Sequence, residues 1–401
     1  MKKKIFTIKY LYLFLFICFI GCSSDDENVI SATDVNYFVK KVDSVVYNVD
    51  EIKQKISDFN TAELGVQFPN NLVAVDMITY NTKLPDNSPI TASGIVIYPK
   101  DIQIKGVIVG MHYTITADIQ SPSTSMFDVL SLISTLGYAV IVPDYIGFGI
   151  TKDIIHPYLH VENTARVSID MFRASREYLK SINKNIDKDS VYVVGYSQGG
   201  AAAAAFQKVV ERDCKDIKIK KVISGGGPLD INATFEHFLE NDDLEYPCSI
   251  PFICLGLDYA EKLNINYSNV FSGALLENYK KWFISKLYKP DEINDFIGSF
   301  HLVDFMHPDI FKDVNQWNED LKKIYNAAKN NSLIEGWTPK AELILVHGTN
   351  DHYVPMVNSQ NAYNSFKAKG ANVSLILVDG KSHVETASTF STIVLSRILQ
   401  N

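Results

Sequence analysis

Val191-Tyr192-Val193-Val194-Gly195-Tyr196-Ser197-Gln198-Gly199-Gly200-Ala201 decides how the rest of this chain is read. Residues 191–194 form the short apolar, β-branched run expected of a strand buried on both faces. An alanine-rich run over 201–212 reads as a helix. Between them, Gly195-Tyr196-Ser197-Gln198-Gly199 fits G-x-S-x-G. Alone that pattern is common. Between a strand and a helix it is a nucleophile elbow, whose turn lifts a serine hydroxyl clear of the backbone. The glycines are needed because the turn leaves no room for larger side chains. The helix also starts with unpaired N–H groups beside the serine, which favours developing negative charge there.

A serine nucleophile needs a base, and behind a histidine base stands an acid. In elbow proteins these follow in the order serine, acid, histidine. His383 lies in Asp379-Gly380-Lys381-Ser382-His383-Val384, expected as a polar loop between the last strand and the last helix. It is the candidate base. His347 ends a strand and precedes Gly348, which suits a buried structural residue, and His352 is the rival. Asp351, in His347-Gly348-Thr349-Asn350-Asp351, is the candidate acid. Its competitor Asp379 is close to His383 in the chain. The oxyanion hole calls for two backbone N–H groups. One is assigned to Gln198, the other to Tyr113 or Thr114, in the loop after the strand over 106–110.

Working outward, residues 35–60 read as a helix. Residues 72–80 and 90–98 read as an antiparallel hairpin around Leu84-Pro85-Asp86-Asn87-Ser88-Pro89. Strands are expected over 106–110, 138–142, 190–194, 221–224, 341–346 and 372–378. Helices are expected over 126–136, 161–179, 201–212 and 387–399. This alternation is the mark of an α/β fold, a mostly parallel sheet with helices on both faces. The rhythm breaks over 229–338, which reads as a helical cap inserted into a core of 35–228 and 339–401.

The chain has 401 residues and a net charge of −8. Lys2, Lys3, Lys4 and Lys9 start it, and an apolar run over 5–20 ends at Gly21-Cys22. That is the layout of a leader peptide over 1–21, shorter than the roughly 20 apolar residues of a membrane span. Gly21-Cys22 resembles a bacterial lipobox, so Cys22 is the expected lipidation site, with a tether over 22–34. Ser23-Ser24-Asp25-Asp26-Glu27 resembles an acidic surface-export tag. The expected location is the bacterial cell envelope, lipid-anchored at the outer membrane and surface-exposed if the tag is read. Removing the four lysines of the leader leaves −12, which gives no electrostatic reason to bind nucleic acid. Cys214, Cys248 and Cys254 remain, an odd number, of which Cys248 and Cys254 are near enough in sequence to close a small loop. His156 and His160 share a metal-like spacing, but Pro157 interrupts it and no third ligand is near. No metal and no cofactor are expected. Asp144 and Asp230 read as structural hydrogen-bonding residues.

Together, Gly195 to Gly200, Val142-Pro143-Asp144-Tyr145-Ile146-Gly147-Phe148-Gly149, His156-Pro157-Tyr158, and His347 to Asp351 with Val354-Pro355 resemble the secretory lipase family. The stretch over 331–339 is similar to its bacterial branch. The resemblance spans residues 72–395. One departure is His112-Tyr113, where many relatives carry His-Gly. The resemblance implies an α/β-hydrolase fold and carboxylesterase or lipase action on a small-molecule or lipid ester through an acyl-enzyme. Tyr145, Tyr196, Phe235 and Phe238 are the candidate substrate-binding residues, although much of the insertion's apolar content must form its own core. The competing readings are a sugar-ester deacylase, a secreted aminopeptidase and a non-catalytic binding lipoprotein.

Overall fold

The computed structural model describes residues 36–56, 66–186, 191–241 and 244–400. The expected leader, Cys22 and the tether lie outside the described residues.

Apolar β-branched runs form the centre of the sheet. These are β4 (Gly106–Met111), β5 (Tyr138–Pro143), β6 (Val191–Tyr196) and β7 (Ile219–Gly225). Every residue of β4 and β5 is buried. With β1 (Phe38–Tyr47), β2 (Val73–Lys83), β3 (Pro89–Pro99), β8 (Glu342–Gly348) and β9 (Val373–Val378), the order is β1-β2-β3-β5-β4-β6-β7-β8-β9. The pairings from β1 to β5 are antiparallel. The remaining five are parallel. This is the α/β-hydrolase architecture.

Helices cover both faces, so the sheet separates two cores. One core takes side chains from the helices Val161–Ser181, Gln198–Asp213 and Val357–Ala368. The other takes Phe390, Val394, Leu395 and Ile398 from the last helix, and Ile52 from the helix Val49–Lys55. Ala201 to Ala205 are all buried. Small side chains there let the helix lie close to the sheet. A Cβ on Gly200 would stand 2.6 Å from the Gly225 carbonyl oxygen.

Two expectations change, and the pairing left open for Cys248 and Cys254 is decided. The helix read over 35–60 is a strand, β1, followed by a short helix whose N-cap Asn48 accepts from Asp50 N and Glu51 N. β1 is an edge strand with most side chains exposed. Its pairing is written in backbone hydrogen bonds, so hydropathy periodicity carries little trace of it. The helix read over 126–136 is a single turn, Ser131–Ser134, preceded by Met126 in the left-handed region, which ends a separate turn at Pro122–Ser125. Cys248 and Cys254 are both free thiols, buried at the start and in the body of the helix Ser249–Glu261. A helix turns successive residues by about 100°, which carries these two to different sides.

Between β7 and β8 the described residues make no strand of the sheet. They form the helices Ile231–Asn241, Ser249–Glu261, Gly273–Tyr279, Pro290–Ile297 and Glu319–Asn330 with shorter turns between them. No helix among the described residues is long and apolar enough to cross a membrane.

Candidate active site

In a parallel sheet, the loops at the carboxyl ends of the strands gather on one edge. Tyr113 follows β4, Tyr145 follows β5, Ser197 follows β6, Asp351 follows β8 and His383 follows β9. All the core candidates therefore share that edge.

Ser197 has φ +58° and ψ −125°. A side chain in that region costs about 1–3 kcal/mol and persists only where the surroundings hold it. Here the surroundings are tight. A Cβ on Gly195 would stand 2.0 Å from the Gly199 oxygen, and one on Gly199 would stand 2.1 Å from the Met111 oxygen. The second contact also sets the start of the helix Gln198–Asp213 against the end of β4. Ser197 N donates to Gly225 O at 2.8 Å. The backbone N–H groups of Gln198, Tyr113 and Thr114 donate to no acceptor among the described residues.

His383 Nδ1 lies 2.7 Å from Asp351 Oδ2. Asp351 Oδ1 accepts from Tyr353 N at 3.0 Å and Val354 N at 2.8 Å. Burial would raise the Asp351 carboxyl, but hydrogen bonds from His347 and His383 outweigh it and hold the group well below the usual carboxylate range. His383 is the first residue of the helix His383–Leu399 rather than a loop residue. That helix starts early because Ser382 and Glu385 form a capping box. The imidazole stacks on Tyr353 at 5.2 Å and meets the Tyr196 ring at 5.0 Å. Tyr196 also donates its hydroxyl to His383 O at 2.6 Å. The neighbour of Ser197 in sequence thus ties the elbow to His383.

Sequence reasoning assigned His347 only a structural place. Its Nε2 lies 2.8 Å from Val354 O and 3.3 Å from Asp351 Oδ2, and its Nδ1 lies 2.7 Å from Ser359 Oγ. A carbonyl only accepts, so Nε2 carries the proton and points it at the loop that holds Asp351. No local pattern could show this, because the ring acts through a loop turned back on its own strand.

The other candidates are dispersed. Tyr113 is 56% exposed, and the Thr114 hydroxyl is 2.8 Å from the Tyr158 hydroxyl. His112 packs its ring 4.1 Å from Tyr145, and its Nδ1 lies 2.7 Å from Tyr113 O. Tyr145 is buried, with φ +62° and no hydrogen-bond partner for its hydroxyl among the described residues. Phe235 lines a small void inside the insertion with Cys254, Met306 and Trp317, and Phe238 is fully buried. A second void, lined by Gln198, Ala202, Leu159, Ile231 and Leu333, lies where the elbow helix meets the insertion. Asp144 accepts from Ser123 N at 2.8 Å, and Asp230 from Asn361 Nδ2 at 2.9 Å. No cluster of His, Cys, Asp or Glu among the described residues is placed to hold a metal ion.

The insertion reaches the site at three points. Tyr246 stacks on Tyr353 at 4.7 Å. Phe252 meets His156 at 5.6 Å and Tyr158 at 4.5 Å. The third contact is with the loop after β4, where Asp118 N donates to Lys286 O at 2.8 Å and the Thr116 hydroxyl to Tyr288 O at 2.6 Å.

Residues 113–396 match the family model described as secretory lipase. No curated protein matches the chain in sequence. Among solved structures, the ligand-bound rice cell wall degrading esterase LipA from Xanthomonas oryzae superposes with a TM-score of 0.76. It is 22% identical, over 91% of this chain and 97% of that one. A Legionella pneumophila protein named as a hydrolase gives a TM-score of 0.77 at 21% identity, over 90% and 98%. Candida antarctica lipase A in its closed state gives 0.58 at 15% identity, over 88% and 81%. At such identities the likeness speaks for the fold.

Proposed function

The chain belongs to the secretory lipase family and is an ester hydrolase, and from that premise we propose that it is a serine carboxylesterase or lipase working through Ser197, His383 and Asp351. The observation that carries this reading is the 2.7 Å contact between His383 Nδ1 and Asp351 Oδ2. A carboxylate there accepts a hydrogen bond from Nδ1–H, which keeps the ring's proton on Nδ1 and leaves Nε2 with a lone pair, the form a general base requires.

The steps follow from that tautomer. Ser197 Oγ attacks the ester carbonyl carbon while its proton passes to His383 Nε2. The carbonyl oxygen becomes an oxyanion, stabilised by the N–H of Gln198 and that of Tyr113 or Thr114, none of which has another acceptor among the described residues. The tetrahedral intermediate collapses, the C–O bond to the alcohol breaks, and His383 returns the proton to the leaving oxygen. Water then repeats the sequence on the acyl-enzyme, releases the acid and restores Ser197. Asp351, held ionised, stabilises the imidazolium at both attacks.

In this reading residues 229–338 are a cap. It is joined to the catalytic loops through Tyr246, Phe252 and Lys286. Tyr145 packs on His112 beside the oxyanion loop and Tyr196 on His383, while Phe235 and Phe238 are buried within the cap and serve its core rather than the substrate. The family supports an extracellular or envelope location, and we assign the attachment to a lipid on Cys22.

A fluorophosphonate probe tests the assignment. It should label Ser197 in the wild type and leave Ser197→Ala unlabelled. The folded variant should turn over p-nitrophenyl esters about a million-fold more slowly. Near wild-type turnover in the variant would remove Ser197 from the mechanism.

A further inference from the structure

His156 takes no part in the proton transfers above, yet it is 0% exposed and its ring is walled in by aromatic side chains. Tyr145, Phe148, Tyr158 and Phe252 stand around it at 6.0, 5.1, 5.8 and 5.6 Å. Its Nδ1 lies 2.6 Å from Ile146 O. A carbonyl oxygen only accepts, so Nδ1 carries the ring's hydrogen. Burial, helped by Lys286, drives the imidazole well below its usual range and keeps it neutral. Nε2 is therefore a lone pair, and the group facing it at 2.8 Å is Gln198 Nε2, which must donate.

Gln198 is the residue after Ser197, and its backbone N–H is the proposed oxyanion donor. The elbow backbone is held by close contacts at Gly195 and Gly199 and by Ser197 N, and Gln198 adds a side-chain tether of its own. Its neighbours Gly195, Gly199 and Gly200 have no side chains, and Ser197 sits at a strained φ of +58°. The Gln198 side chain is buried and tethered on one side only, since its Oε1 has no hydrogen-bond partner among the described residues. The anchor itself is firm. The loop after β5 is folded so tightly that a Cβ on Gly147 would stand 2.7 Å from His156 Cα and N.

We infer that His156 is a positioning residue for the oxyanion hole: its Nε2 lone pair holds the Gln198 side chain and so aims the Gln198 backbone N–H at the developing oxyanion. The inference rests on the acyl-transfer reading above. Catalytic donors are sensitive to placement, and a misplacement of about 1 Å can cost on the order of a hundredfold in rate.

The test uses the full-length protein and three variants. His156→Phe keeps the aromatic packing and loses the acceptor. His156→Gln offers an amide oxygen near the same point. Gln198→Met removes the donor from the other side and keeps the backbone N–H. The readouts are kcat, KM, the thermal midpoint and the affinity for a trifluoromethyl ketone, whose hemiketal oxyanion occupies the hole. His156→Phe and Gln198→Met should each lower kcat about 10- to 100-fold with KM within about twofold. Trifluoromethyl ketone affinity should fall by the same factor, His156→Gln should recover most of both, and the double variant should be no worse than either single one. Equal losses in His156→Phe and His156→Gln would overturn the inference, because packing and not the acceptor would then matter. Unchanged kcat and ketone affinity in folded His156→Phe or Gln198→Met would overturn it as well. Failure of the wild type to react with a fluorophosphonate would instead sink the hydrolase reading, so the two failures are told apart.

Discussion

Lys286 brings a positive charge to the seam between the insertion and the loop after β4, where it is only 5% exposed. Its Nζ lies 4.7 Å from the Phe148 ring centre and 5.6 Å from that of Phe252. Burial pushes its ammonium down to about 7, and Asp118 opposes that shift. The unfolded chain keeps an ordinary lysine near 10.5, so between about 7 and 10.5 the unfolded state binds more protons. Stability should therefore rise with pH across that window. Lys286→Met should stabilise the fold at pH 7, on the order of a few kcal/mol less whatever the cation–π contacts supply. It should also flatten the rise. Urea unfolding at pH 7 and pH 9.5 measures both, and a variant with the wild-type slope would show that Lys286 is hydrated in solution. At this scale Ser197, Asp351 and His383 were legible as candidates, because each sits in a local pattern of turn and strand end. The contacts of His156 and His347 were not, since the partner of His156 is set by the packing of separate elements and those of His347 by how the loop after β8 folds back on its strand.

Helices and strands show where close approach limits the sequence. The insertion's helix Ser249–Glu261 lies on the backbone of the loop after β5, and a Cβ on Gly256 would stand 2.4 Å from Tyr158 N. Neither backbone can give way easily. Gly256→Ala should cost about 1–3 kcal/mol, the usual penalty for overpacking. It should also loosen the Tyr158–Thr114 contact beside the proposed oxyanion loop. The midpoint of denaturant unfolding reads the first effect, and an unshifted midpoint would mean that the helix does not sit this close. The buried parallel strands and the helices Val161–Ser181 and Gln198–Asp213 were read from sequence nearly as they stand, because apolar runs and amphipathic spacing are local, but the helix Val357–Ala368 was not read. β1 was misread as helix because an exposed edge strand is held by backbone pairing with β2. The last helix begins at His383, earlier than expected, because the capping box of Ser382 and Glu385 lies within what reads as a polar loop.

For the whole molecule, the sheet edge collects residues from five separate strand ends, and one insertion spans the chain between β7 and β8. Gly21-Cys22 follows an apolar run, and the proposal is that the mature chain begins at an acylated Cys22. Cys22→Ser should leave the protein unprocessed or release it from the membrane fraction. Mass spectrometry of the mature protein that finds Met1 intact would count decisively against lipidation.

The sequence by itself determined the alternation of strands and helices, the elbow around Ser197, and the order in which an acid and a histidine follow it. These are readings of neighbours along the chain, where periodicity and turn chemistry operate. Only the tertiary structure decided that His383 meets Asp351 at 2.7 Å, that His347 supports that carboxylate, and that His156 takes hold of Gln198. It also decided that the insertion touches the catalytic loops through Tyr246, Phe252 and Lys286. The physical reason is that such contacts, whether across tens of positions or within one folded-back loop as for His347, depend on how buried elements pack, and packing leaves little mark on local periodicity.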